Sequence, residues 1–94
     1  MSATQDRKPA QAAAALAAGD HVLAGRLCGD VLERAPRHPR ALHLAAAVRL
    51  GQGEWGQARE LLRRLLEIDP RNLQALEELG AAELKAGDAV QPES

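Results

Sequence analysis

Few side chains in this sequence could do chemistry on their own. The histidines are His21, His38 and His43, and the one thiol is Cys28. Their spacings match no metal-ligand pattern, and Cys28 falls within an apolar stripe, where a thiol behaves as a small hydrophobe. A Cys/His nucleophile fails for the same reason, since no third group is placed to orient the base. Arg37, His38, Arg40 and His43 form a basic cluster, but Pro36 and Pro39 mark its start as a solvated turn rather than a phosphate site. Gly51, Gly53 and Gly56 follow no strand, so they do not make a phosphate loop. Arg63 and Arg64 are balanced by Glu60 and Glu67, the arrangement of a solvent face. The expectation is a chain that is not an enzyme, with no catalytic residue, no metal and no cofactor.

Composition sets the frame. A chain of 94 residues has room for one small domain. Roughly a fifth of it is Ala, Leu is frequent, and Trp55 is the sole aromatic residue. Ala and Leu favour helices and close helix packing, while few Val and Ile and a single Thr argue against a sheet. A formal net charge of −1 lacks the basic excess that nucleic acid or an anionic membrane would attract. No apolar run reaches the length of a membrane span, and Met1 to Gln11 lacks the layout of a signal peptide. One cysteine points to a reducing, cytoplasmic setting.

The elements that would position these residues recur at a fixed distance. Gly19 and Gly53, Ala24 and Ala58, Cys28 and Leu62, Leu32 and Leu66, and Pro36 and Pro70 are each 34 residues apart, and Gly87 lies 34 beyond Gly53. Such a period means stacked helical units, not a compact domain around one central site. Residues 1–8 read as a flexible N-terminus, and Pro9 suits the first turn of a helix reaching about Ala18. Asp20 can cap a second helix whose stripe is Ala24, Leu27, Cys28, Val31 and Leu32. Its other face carries Arg26, Asp30 and Arg34, spaced for ion pairs. A third helix runs from about Pro39 to Gln52 with Leu42, Ala45, Ala46 and Val48. Gly53 breaks it. A fourth spans about 54–68, with the stripe Ala58, Leu61, Leu62, Leu65 and Leu66 and the solvent pairs Glu60 with Arg64 and Arg63 with Glu67. Asn72 can cap a fifth helix, with Leu73, Leu76, Leu79 and Gly80, that stops before Gly87. Residues 88–94 read as a flexible end.

With this period and pairing, the sequence resembles the tetratricopeptide repeat (TPR) family. Leu42, Ala45, Ala46, Trp55, Ala58, Leu62 and Pro70 stand where the family places its large, small, aromatic and proline signature residues. The first unit matches through Ala12, Ala24, Cys28 and Pro36, and the third through Leu76, Leu79 and Gly80. Arg49 departs from the pattern, replacing a large apolar residue, and His21 replaces an aromatic. The resemblance implies an all-α solenoid of about 2.5 units, over residues 5–38, 39–72 and 73–87, wound as a right-handed superhelix of five helices. It also implies that Trp55 packs between helices rather than acting as a binding hot spot. The fifth helix, with Glu77, Glu78, Glu83 and Lys85, reads as a water-tolerant C-terminal cap; an excised module of a longer protein is the alternative.

In this family the first helices of successive units line a concave groove that binds proteins. Leu16, Leu50 and Leu84 recur in one groove register, and Ala13, Ala47 and Ala81 in another, which would give a leucine row beside an alanine floor. The expected contacts are Leu16, Arg40, His43, Ala47, Leu50, Glu77, Ala81, Leu84 and Lys85, for a peptide or amphipathic helix. The same residues could instead pack between neighbouring helices or mediate a weak homodimer. A further alternative is an N-terminal accessory domain of a larger bacterial enzyme. The lysine, asparagine and arginine clamp by which some members hold a C-terminal carboxylate is replaced here by Pro9, Ala13, His43, Ala47 and Gln74.

Overall fold

The computed structural model describes residues 2–89, and side chains over residues 7–87. Five helices occupy that span: α1 (Ser2–Ala17), α2 (His21–Arg34), α3 (Pro39–Gly51), α4 (Trp55–Ile68) and α5 (Leu73–Ala89). Each packs against the next in sequence, and α1 also touches α3. The result is an elongated stack measuring 53 × 28 × 20 Å.

Glycine chemistry makes the turn inside each hairpin. Gly19 and Gly53 have φ of 84° and 74°, the left-handed region that costs a Cβ-bearing residue most. Around Gly19, its amide donates to the Leu16 carbonyl at 2.9 Å and Asp20 donates to Ala15 at 2.8 Å. Around Gly53, the equivalent bonds run to Leu50 at 3.1 Å and from Glu54 to Arg49 at 2.9 Å. This is a Schellman motif, formed twice 34 residues apart, and it satisfies carbonyls that a helix end leaves open. Gly87 occupies the third register but lies inside α5, which runs on to Ala89 rather than stopping.

The turns between units also repeat. Ala35 donates to Val31 and His38 to Ala35; Asp69 donates to Leu65 and Asn72 to Asp69. His38 then caps α3 through Nδ1, which accepts from the Ala41 amide at 3.2 Å, and Asn72 caps α5 by accepting from Ala75 at 2.9 Å. The cap on α2 is Asp20, accepting from Leu23 at 3.1 Å.

The core lies between the helix pairs. Ala24, Cys28 and Val31 are the buried side of α2, and Ala58, Leu62 and Leu65 that of α4. Leu42, Ala46, Ala58 and Leu62 are fully buried at the crossing of α3 and α4. Two alanines there let leucines from both helices reach across, and each buried leucine contributes about 1.5–3 kcal/mol.

Three further expectations change. The first helix begins at Ser2 rather than Pro9, which sits inside it with its ring fully buried. An interior proline costs about 3 kcal/mol; burial of the ring and the Lys8–Asp30 pair to α2, at 3.4 Å, offset part of that. The ion pairs are also not those along single helices. Asp30 bonds Lys8 instead of Arg26 or Arg34. Arg63 pairs with Glu83 of α5 at 3.1 Å and only loosely with Glu60 at 3.9 Å, and Arg64 donates to the Pro36 carbonyl. Contacts between elements engage these long side chains before exposed pairs of small net value form. Finally, Glu78, Glu83 and Lys85 of α5 reach across to neighbouring helices, while Glu77 stays in solvent.

Candidate functional site

The face shared by the first helices of the hairpins encloses a recess of about 480 Å³. Leu16 of α1, Arg40, His43, Leu44 and Ala47 of α3, and Gln74 and Glu78 of α5 line it, together with Pro39, Leu65 and Asn72. Helix periodicity explains the set on α3: Arg40, His43, Leu44 and Ala47 are one i, i+3, i+4, i+7 stripe. His43 Nε2 lies 2.8 Å from Glu78 Oε1, and both side chains are about a quarter exposed. The second oxygen of Glu78 accepts from Gln74 at 3.3 Å. Glu78 therefore joins α3 to α5 across the groove, and Arg40 is left exposed at its rim without a described acid partner.

Of the expected contacts, Leu16, Arg40, His43 and Ala47 come together here. Leu50, Glu77, Ala81, Leu84 and Lys85 lie outside the recess. The leucine row is not continuous: Leu16 packs on Ala15, Ala24 and Val48, Leu50 packs on the α3–α4 core, and Leu84 is exposed. Lys85 stands over the Trp55 ring, 5.8 Å from its centroid, a cation–π contact. Sequence reasoning missed Leu44 and Glu78, which occupy the same register one position beyond His43 and Glu77. The signal was present in the spacing of Gln74 and Glu78 as an i, i+4 pair, matching Arg40 and Leu44.

The two departures from the family pattern find partners. Arg49 leaves the core and bonds Glu54 at 3.0 Å and Gln52 at 3.2 Å, clipping the Gly53 turn. Glu54 makes no side-chain cap, unlike Asp20 in its register, because its longer carboxylate reaches Arg49 instead. His21 lies against Gly51, where any Cβ would collide with its ring. Trp55 and Lys85 are the same two registers one unit on. Trp55 is half-buried and borders a second recess of about 410 Å³ with Arg59, Glu83 and Ala86.

The histidines are dispersed, His21 on Gly51, His38 on a cap and His43 in the groove, and among the described residues no three His, Cys, Asp or Glu side chains gather. Cys28 is buried, and desolvation pushes its thiol up to about 11, so it stays protonated and unreactive at neutral pH. No described helix is long and apolar enough to cross a membrane.

A stack of antiparallel helix hairpins with glycine turns and a groove on the first-helix face defines an α-helical repeat protein, a class that generally binds other proteins. The tetratricopeptide repeat family matches residues 15–82. The chain belongs to that family. It is 41% identical over 69 residues to a human "FK506-binding protein-like" protein, and 39% identical over 69 residues to those of rat and mouse. The match covers 73% of this chain and 20% of each relative, so the chain spans about a fifth of the length of these curated relatives.

Proposed function

We propose that this chain binds a peptide or helical segment of another protein in the recess between α1, α3 and α5. The observation that carries the reading is the convergence of Leu16, Leu44 and Ala47 with the His43–Glu78 bridge and the open guanidinium of Arg40. Leu16, Leu44 and Ala47 suit an apolar anchor side chain. Arg40 suits an acidic group beside that anchor. The carboxylate of Glu78 is already engaged by two partners, so it shapes the groove rather than attracting a cation. A phage-displayed peptide library panned on the wild type tests this. Enriched peptides should pair an apolar residue with an acidic one and lose binding to Ala47→Arg, which fills the recess from a half-buried position. Peptides that bind Ala47→Arg equally well would sink the reading.

The accessory-domain reading is favoured by the relatives, in which the matching stretch is one part of a longer polypeptide. Mass measurement of the protein from its native cells decides it: a species of 10.0 kDa would refute it. The single buried cysteine supports a cytoplasmic setting.

A further inference from the structure

The second recess holds an unmet charge. Arg59 borders it, one helical turn beyond Trp55 on the same face of α4. Its Nε–H is enclosed and meets no acceptor. Buried donors are normally hydrogen-bonded, so this guanidinium lacks what an oxyanion would supply. The acids nearby are taken: Glu83, on the same recess, bonds Arg63 at 3.1 Å, and Glu54 bonds Arg49 at 3.0 Å. Lys85, over the Trp55 ring, is a second cation with no acid partner among the described residues. The repeat gives no structural reason for either charge. Subtracting 34 from Arg59 and Lys85 gives Gly25 and Gly51, and the first unit folds with His21 packed directly on Gly51.

Small residues make the room. Gly53 and Gly56 on one side and Ala86 and Gly87 on the other bound about 410 Å³, the size of a small-molecule cleft. A Cβ at Gly56 would meet no atom within 4 Å, so the space beside it is open. The Trp55 ring supplies a flat apolar wall. We propose that this recess binds a small organic phosphate, with the phosphate on the Arg59 guanidinium and the organic body against the Trp55 ring. A phosphate monoester carries a charge of about −1.5 to −2 at pH 7, which matches the two cations beside Trp55 better than a carboxylate does. A small turn of the guanidinium presents Nε–H and one Nη–H to two phosphate oxygens, the bidentate pairing arginine makes with phosphate. No residue of this recess lines the groove of Leu16 and Arg40, so the two sites are separate.

Trp55 is the sole tryptophan, so its indole N–H gives one resonance in a proton–nitrogen correlation spectrum and reports on this recess alone. Phenyl phosphate is the probe, with phenol as its uncharged control and benzoate as its singly charged one. Phenyl phosphate should shift that resonance saturably, and phenol should not. Benzoate should bind about tenfold or more weakly, the share of one charge-assisted hydrogen bond. Arg59→Met keeps the apolar stem and should lose about tenfold or more in affinity for phenyl phosphate. Gly56→Leu should block the site by taking up the open space, and circular dichroism checks that both variants stay helical. No saturable shift, an equal response to phenol or benzoate, or unchanged affinity in Arg59→Met and Gly56→Leu would overturn the inference. The competing occupant is a carboxylate of the chain itself, since Asp88 follows Gly87 in sequence. If Asp88→Asn binds phenyl phosphate about tenfold or more tightly than the wild type, that side chain owns the site and the inference fails.

Discussion

Gly51→Ala should change sign with its neighbour. Gly51 is the last residue of α3, and its α-carbon faces the imidazole of His21 at the start of α2. A Cβ built there stands 2.7 Å from His21 Cδ2 and closer still to Nε2, well inside the 3.4 Å at which ordinary contact begins. The ring must swing aside, and an off-rotamer torsion costs about 0.5–1.5 kcal/mol. Against that, Ala in place of helical Gly is favourable by about 0.5–1 kcal/mol. In the wild-type background the two nearly cancel, leaving a change between about 0.5 kcal/mol of stabilisation and about 1 kcal/mol of destabilisation. In a His21→Ala background only the propensity gain remains, so the same substitution stabilises by about 0.5–1 kcal/mol. The coupling energy is about 1 kcal/mol, within the range for residues in contact. Urea unfolding of the four proteins measures it: with a slope of about 1 kcal/mol per molar urea, the coupling appears as a midpoint displacement of about 1 M. If Gly51→Ala stabilises both backgrounds equally, His21 does not pack on Gly51, and the reading of His21 as the first-unit counterpart of Trp55 on Lys85 fails.

The remaining predictions concern glycine, the thiol and the helix crossing. Gly53→Ala should cost about 1–2 kcal/mol because φ is positive there, whereas Gly87→Ala, inside α5, should stabilise by about 0.5–1 kcal/mol; thermal unfolding of both separates the registers. Cys28 should resist thiol reagents in the native state and react once urea exposes it. Its folded pKa of about 11 lies above the usual thiol value of 9.0, so the unfolded chain binds fewer protons between those values. Stability is therefore intact below pH 9 and falls as pH rises toward 11, and Cys28→Ala should flatten that limb of the profile. Ala58→Leu should overpack the α3–α4 crossing at a cost of about 1–3 kcal/mol, read as a lower urea midpoint with an unchanged slope.

The residues in the groove were legible in part. Leu16, Arg40, His43 and Ala47 follow from the register of the first helices, because a helix face is a property of spacing along one segment. Gln74 also follows from that register, but Glu78 did not, since its role depends on how α5 is rotated about its axis against α3. The reach of Glu78 and Glu83 to neighbouring helices was illegible for the same reason. A stripe of acids looks solvent-facing until Arg63 on one neighbour and His43 on another are set beside it.

By itself the sequence determined the number of helices, the glycine turns at Gly19 and Gly53, the caps at Asp20 and Asn72, and the buried stripes of α2 and α4. These depend on local conformational energy and on apolar periodicity, both written in a few consecutive residues. The tertiary structure alone decided the rest. It set which glycine adopts a left-handed turn, Gly19 and Gly53 doing so while Gly87 lies within α5. It set the ion-pair partners of Asp30, Arg63 and Glu83, and it let α1 run through Pro9. It also left Leu76 and Leu84 uncovered where the same register on α3 holds buried Leu42 and half-buried Leu50. Each of these turns on what lies across from a residue, and that is fixed only when the helices are stacked.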